Sequence, residues 1–238
     1  MNEFYATGHR HLRGVSRTID ATGTSALCWG HMRPNRIPLL LAVVLWLASF
    51  EVSLRAQPTA TEALRRYDQG PLGRADFATP PPADRGVRKA STYVHIGYSF
   101  RYRANVVRGR VQVVVTHLEA YGVVTPGKSW NVAPGDTRLM DHEQGHFDIT
   151  QLHALRWQRH AGGLIAKAAL RGEGATQEAA QQSLQSRLDR ELKPINEAWE
   201  AEQIRYDQET NHGSDSKRQA EWRARLNREL AAGTVSRR

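Results

Sequence analysis

The chain has one cysteine in 238 residues, Cys28. A single thiol cannot close an internal disulfide, so the fold must be held by packing alone, even in an oxidising compartment. Long apolar runs are as scarce. The one that stands out is Ile37 to Phe50, shorter than the ~20 residues a membrane-spanning helix needs. Basic stripes interleaved with aromatic residues are also missing, which argues against nucleic acid as a partner. The formal charge of +9 does not alter this. Six of the 33 basic and three of the 24 acidic residues precede Gln57, leaving a net +6 on the rest, mixed along helices as on a solvated surface.

The apolar run has a recognisable context. Met32, Arg33, Pro34, Asn35 and Arg36 form a basic lead-in, Ile37 to Phe50 the apolar centre, and Leu54-Arg55-Ala56 a tolerable cleavage site. That layout is expected of a secretory signal peptide over 32–56, which implies export to the periplasm or medium and no stable membrane span after cleavage. Residues 1–31 then lie ahead of the start, untranslated or without fixed structure. The remaining ~180 residues suffice to bury a core without cross-links.

From there the chain reads as an α+β protein. Thr59 to Tyr67 suits a short helix, and 57–90 is otherwise rich in loops, with Pro80-Pro81-Pro82 excluding regular structure. Phe77 is expected to tack this loop to the core. Ser91 to Arg103 alternates, placing Val94, Ile96, Tyr98, Phe100 and Tyr102 on one face. Arg110 to Tyr121 reads as a second strand, and Ala104 to Gly109 as the connection of an antiparallel hairpin. Asp136 can cap a helix from Thr137 to about His160. Gly162-Gly163 should interrupt it, and Leu164 to Leu170 could resume as another. Thr176 caps a long helix to about Thr210, with an apolar stripe of Leu184, Leu188, Leu192, Ile195, Trp199 and Ile204 and a kink at Pro194. Gly213 is a natural stop. A last helix, capped by Ser214 or Asp215, carries Trp222, Leu226 and Leu230, and 233–238 form a frayed tail.

The chemistry concentrates in Leu139-Met140-Asp141-His142-Glu143-Gln144-Gly145-His146-Phe147-Asp148-Ile149. Within it His142 and His146 stand one helical turn apart and project from one face. Two neutral imidazoles at that spacing can chelate one Zn2+. Glu143 then lies beside the remaining coordination position, where a carboxylate can take a proton from a bound water. The flanking residues read more blandly. Asp148 points to another face and suits a surface or orienting acceptor, Trp130 the core, and Gly145 either tolerance or close approach by another backbone. His95 and His117, each alone in a strand, are weak ligand candidates.

A catalytic zinc site needs three protein ligands. The extended motif H-E-x-x-H-x-x-G-x-x-H is excluded, because Ile149 and Leu152 stand where Gly and His would be. His153 and His160 share the helix and cannot fold back onto the ion. His212, at the end of the long helix and followed by Gly213, is the expected third ligand. Asp207 is its rival, otherwise orienting a ligand imidazole. Tyr206 is a candidate donor to a developing oxyanion.

Several stretches together resemble a bacterial domain-of-unknown-function family described as predicted secreted zinc-dependent proteases. They are Ala75-Asp76-Phe77, Lys128-Ser129-Trp130, the central 139–149 segment, Tyr206-Asp207-Gln208-Glu209-Thr210-Asn211-His212-Gly213, and Gln219-Ala220-Glu221-Trp222. The first of these lacks the Trp that usually precedes it in that family. The resemblance implies a zincin-like α+β domain over 91–232 and peptidase activity on a peptide or protein substrate. By analogy with other zincins, the Arg110–Tyr121 strand would offer its edge to an extended substrate. Two other classes stay open: a metal-binding envelope protein without turnover, and a helical interaction module.

Overall fold

The computed structural model describes residues 64–235, and the segments expected to be a leader and signal peptide lie outside them. Two antiparallel sheets and three helices make up this part, an α+β arrangement. The main sheet is built on the hairpin of β3 (Val94–Val107) and β4 (Arg110–Val124). Its inward face carries Ile96, Tyr98, Phe100 and Tyr102, as the alternation predicts. The hairpin is tighter than expected. The strands run on to Val107 and Arg110, leaving a two-residue turn. Arg108 and Gly109 both take positive φ, 50° and 74°, the backbone of the primed turn whose twist matches the strands.

β4 is the central strand. On the side away from β3 it pairs with β1 (Arg65–Arg66) at Val123–Val124 and with β6 (Arg171–Gly174) at Val111–Val114. Between those pairings the N–H groups of Ala120 and Gly122 donate to the side chains of Gln158 and Gln151. Most of the β4 edge is therefore taken up within the chain, contrary to the expectation that 110–121 offers it to an extended peptide. On the opposite side from β1 and β6 the sheet ends at β3, its long edge strand among the described residues. A second ribbon pairs β2 (Ala90–Ser91) with β5 (Trp130–Asn131), which buries Trp130.

α1 (Thr137–Ala166) lies across this sheet. Asp136 caps it, its carboxylate accepting from the Arg138 and Leu139 N–H groups. At Gly122 the helix comes so near that a Cβ there would lie 3.1 Å from the backbone nitrogen of Gln151. The helix passes unbroken through Gly162-Gly163. The pair costs about 1 kcal/mol each in propensity, but buried Ala161 and the partly buried Leu164 and Ile165 pack on the core on either side of it. No second helix forms over 164–170: Leu164 to Ala166 complete α1, and after a turn Arg171–Gly174 is strand β6, closing onto β4. Arg65–Arg66 is likewise a strand where a helix was expected, since its backbone groups complete the far end of β4.

α2 (Gln177–Thr210) starts at the Thr176 cap and contains Pro194. Its Leu184, Leu188 and Leu192 are buried with Trp157 and Val113. Ile204, placed on that stripe from the sequence, is instead 56% exposed, and Tyr206 takes the buried position. α3 (Ser216–Val235) is capped by Asp215, whose carboxylate accepts from the Arg218 N–H. Its Trp222 and Leu226 pack with Ile149, Leu152 and Tyr206 in a second cluster. Gly233 belongs to this helix, against Leu155, rather than to a frayed tail. No helix of the described residues is long and apolar enough to cross a membrane.

Candidate metal centre

α1 brings His142, Glu143 and His146 into its first three turns, and α2 brings Asp207 to meet them. The Nε2 atoms of His142 and His146 are 3.2 Å apart, and each lies 3.1 Å from Oδ1 of Asp207. These three residues form a group able to hold a metal ion. His142 is buried, while Asp207 keeps 32% of its side-chain surface exposed and is the most open member of the group.

The imidazole of His146 is held from behind. Its Nδ1 lies 2.6 Å from Oε1 of Gln203, and the Gln203 amide nitrogen donates to the His146 carbonyl and to Thr150 Oγ1. Those two acceptors fix which way the amide points. Its oxygen therefore accepts from Nδ1–H, and Nε2 is aimed at the centre. Trp199 donates to the same Thr150 hydroxyl, which donates back to the His146 carbonyl. Gln203 was not anticipated from the sequence, although Trp199, Gln203, Tyr206, Asp207 and Thr210 share a helical face by spacing alone.

Electrostatics make this a cation-seeking site. Burial would lower the His146 pKa, but the hydrogen bond and charge of Asp207, with Glu143 and Gln203, outweigh it and lift the value to about 9. His142 moves the other way, because burial dominates over its hydrogen bond to Asp207. Burial would raise Asp207, yet the two histidines hold its carboxyl far below the usual range. The metal-free group thus holds a proton between carboxylate and imidazoles, where a metal ion would carry the positive charge.

Glu143 is 4% exposed. Its Oε2 accepts from the Thr92 hydroxyl, in the link between β2 and β3. Its negative charge is among the causes that raise the pKa of His146 and Tyr206 and partly offset the lowering of His142.

The segment after Asp207 builds the wall. Tyr206 stacks on His142, centroids 4.7 Å apart and planes 14° from parallel, and meets His146 edge-on. Its hydroxyl donates to the His142 carbonyl at 3.2 Å. Burial pushes that phenol well above its ordinary pKa. Tyr206 is thus a buried support, not the free oxyanion donor considered from the sequence. The close approach at Gly145 is by this side chain and not by another backbone. Thr210 donates to the Tyr206 carbonyl and accepts from the Gly213 N–H. Gly213, at φ 79°, sits on the His142 ring.

His212, the expected third ligand, lies at the rim. Asn211 and His212 both take left-handed backbone, φ 46° and 51°, uncommon for non-glycine residues. That turn leaves the His212 side chain 75% exposed, with Nδ1 3.5 Å from Oδ1 of Asp207. The grouped donors are therefore the two histidines and Asp207, the rival candidate. His95 and His117 take no part in the group. Asp148 is buried, not a surface acceptor: Tyr67, Gln144 and Arg223 all donate to it, tying the segment before the prolines and α3 to α1.

Compared with known protein families, curated proteins and solved structures, the chain matches none. The function is accordingly argued from the site.

Proposed function

We propose that the protein is a zincin-like, zinc-dependent metallopeptidase, exported by its apolar leader, with His142, His146 and Asp207 as the zinc ligands. The observation that carries this is the triangle of Nε2, Nε2 and Oδ1, with edges of 3.1, 3.1 and 3.2 Å. Nitrogen and oxygen donors ~2.0–2.2 Å from a tetrahedral zinc stand roughly 3.3–3.5 Å from each other. The side chains need to open by only a few tenths of an ångström to accept the ion. Two imidazoles and one carboxylate are also a donor set found at catalytic zinc, which keeps its fourth position open.

Bound there, zinc would supply a water of near-neutral pKa and polarise a carbonyl. The chain's own contribution is positional. Glu143 takes the water's proton on its carboxylate and returns it to the leaving amine. Gln203 holds His146 in the tautomer that leaves Nε2 free, and the Tyr206 ring fixes the plane of His142. The outer edge of β3 is the strand available to an extended peptide, and its start lies next to Thr92 and Glu143.

A non-catalytic metal-binding protein is the second reading, favoured by the Thr92 hydroxyl that already occupies Glu143. One experiment separates the two. Zinc content and cleavage of casein or a peptide library are measured for wild type and Glu143→Gln. Cleavage by wild type alone, with zinc in both, supports the peptidase. Zinc in both without cleavage supports the binder, and protein purified without chelator that carries no zinc rejects both.

A further inference from the structure

We infer that Gln219 is the positioning residue of His142, accepting a hydrogen bond from its Nδ1–H when the metal centre is loaded. The inference rests on the metal-centre reading above and adds to it a role for α3. Two buried polar atoms in this region lack a partner, Nδ1 of His142 and Oε1 of Gln219. Both side chains are nine-tenths or more buried, at 3% and 5% exposed. They face the same gap. A Cβ placed on Gly213 would lie 2.9 Å from Cγ of His142 and 3.0 Å from Oε1 of Gln219. Gly213 has no side chain, so nothing on it separates them.

The orientation of Gln219 is not free. Its amide nitrogen donates to the Arg138 carbonyl and to Oδ2 of Asp141, both at 3.0 Å. Those acceptors require nitrogen on that side, which turns the oxygen towards His142. His142, once it offers Nε2 to a metal, must carry its proton on Nδ1, and a buried N–H without an acceptor is destabilising. Gln219 is an acceptor without a donor next to a donor without an acceptor. The pair would mirror Gln203 and His146 across the centre, so each imidazole would have a glutamine behind it, one from α2 and one from α3.

The test uses the full chain loaded with zinc. Long-range proton–nitrogen NMR of the histidines should show His142 bound through Nε2, with an Nδ1–H that exchanges slowly with water. Zinc affinity by chelator competition should fall 10–100-fold in Gln219→Met, as for other partners of ligand imidazoles. Gln219→Glu keeps an oxygen facing His142 but loses both donor bonds and sets a carboxylate against Asp141, so it should recover only part of the loss. Thermal unfolding of the metal-free variants checks that they fold. A purely structural role for Gln219 would leave the His142 proton unchanged in Gln219→Met. A freely exchanging Nδ1–H in zinc-loaded wild type, or equal affinities in wild type and Gln219→Met, overturns the inference while the metal centre stands. Wild type that binds no zinc overturns the centre, and the inference with it.

Discussion

Gly145 faces Tyr206 so closely that a Cβ on it would lie 2.2 Å from the phenol oxygen and 2.5 Å from the carbon that bears it. The missing side chain in α1 is the space in which the Tyr206 ring lies flat on His142. Helix propensity alone favours alanine over glycine by about 1 kcal/mol. The contact reverses that sign, because the ring is buried and its hydroxyl is bonded to the His142 carbonyl. Gly145→Ala should therefore lower stability by about 1–3 kcal/mol, the usual cost of overpacking, and weaken metal binding as the ring is displaced. Urea unfolding decides it: a variant as stable as wild type would show that the ring moves without cost.

The choice between Asp207 and His212 can be measured directly. Asp207 bonds both imidazoles, whereas His212 lies 3.5 Å from Asp207 and outside the group. Asp207→Ala should reduce zinc affinity far beyond the 10–100-fold typical of residues behind the ligands. His212→Ala should stay within that range or below it. The opposite ranking in folded variants would return the third position to His212.

Acid stability should depend on Glu202. Burial would raise its pKa, but hydrogen bonds from His153 and Arg225 and the charges of Arg225 and Arg156 hold it down to about 2. The folded value lies below the ordinary 4.5, so the stabilisation is present above that pH and fades as pH falls towards 2. The side chain is only 7% exposed, and the shift corresponds to stabilisation on the order of 3 kcal/mol at neutral pH. Glu202→Gln should be destabilised at pH 7 and much closer to wild type at pH 3. An equal gap in urea midpoints at both pH values would show that the charge of Glu202 is not the stabilising feature.

Local signals carried most of the architecture. The alternation from Val94 to Tyr102, the caps Asp136 and Thr176, and the His142–His146 spacing each depend on neighbours in sequence, and each lies where expected. Expectations failed where distant packing decides. Gly162-Gly163 stays helical because residues on both sides of it pack on the core, and Arg65–Arg66 is a strand rather than part of a helix because it pairs with the far end of β4. The third metal donor belongs to the same kind. Asp207 and His212 are both close enough along the chain. The α2 helix carries Asp207 into the group, and the left-handed turn at Asn211 and His212, which sequence does not display, leaves His212 at its rim.

Gln203 offers the sharpest test of how the centre is preorganised. Among the described residues it is the acceptor for His146 Nδ1, and its amide nitrogen is spent on the His146 carbonyl and the Thr150 hydroxyl. Gln203→Leu keeps a side chain of similar bulk but leaves the imidazole N–H and the carbonyl without these partners. Zinc affinity should drop 10–100-fold, while Trp199 still bonds Thr150 and retains much of the α1–α2 packing. The loss should appear without zinc as well, as a His146 ring that samples more than one orientation in NMR. Gln203→Glu restores the acceptor but not the two donor bonds, so it should recover part of the affinity. If Gln203→Leu binds zinc as wild type does, the ring is held by Tyr206 and the helix alone, and the glutamine behind it is a bystander.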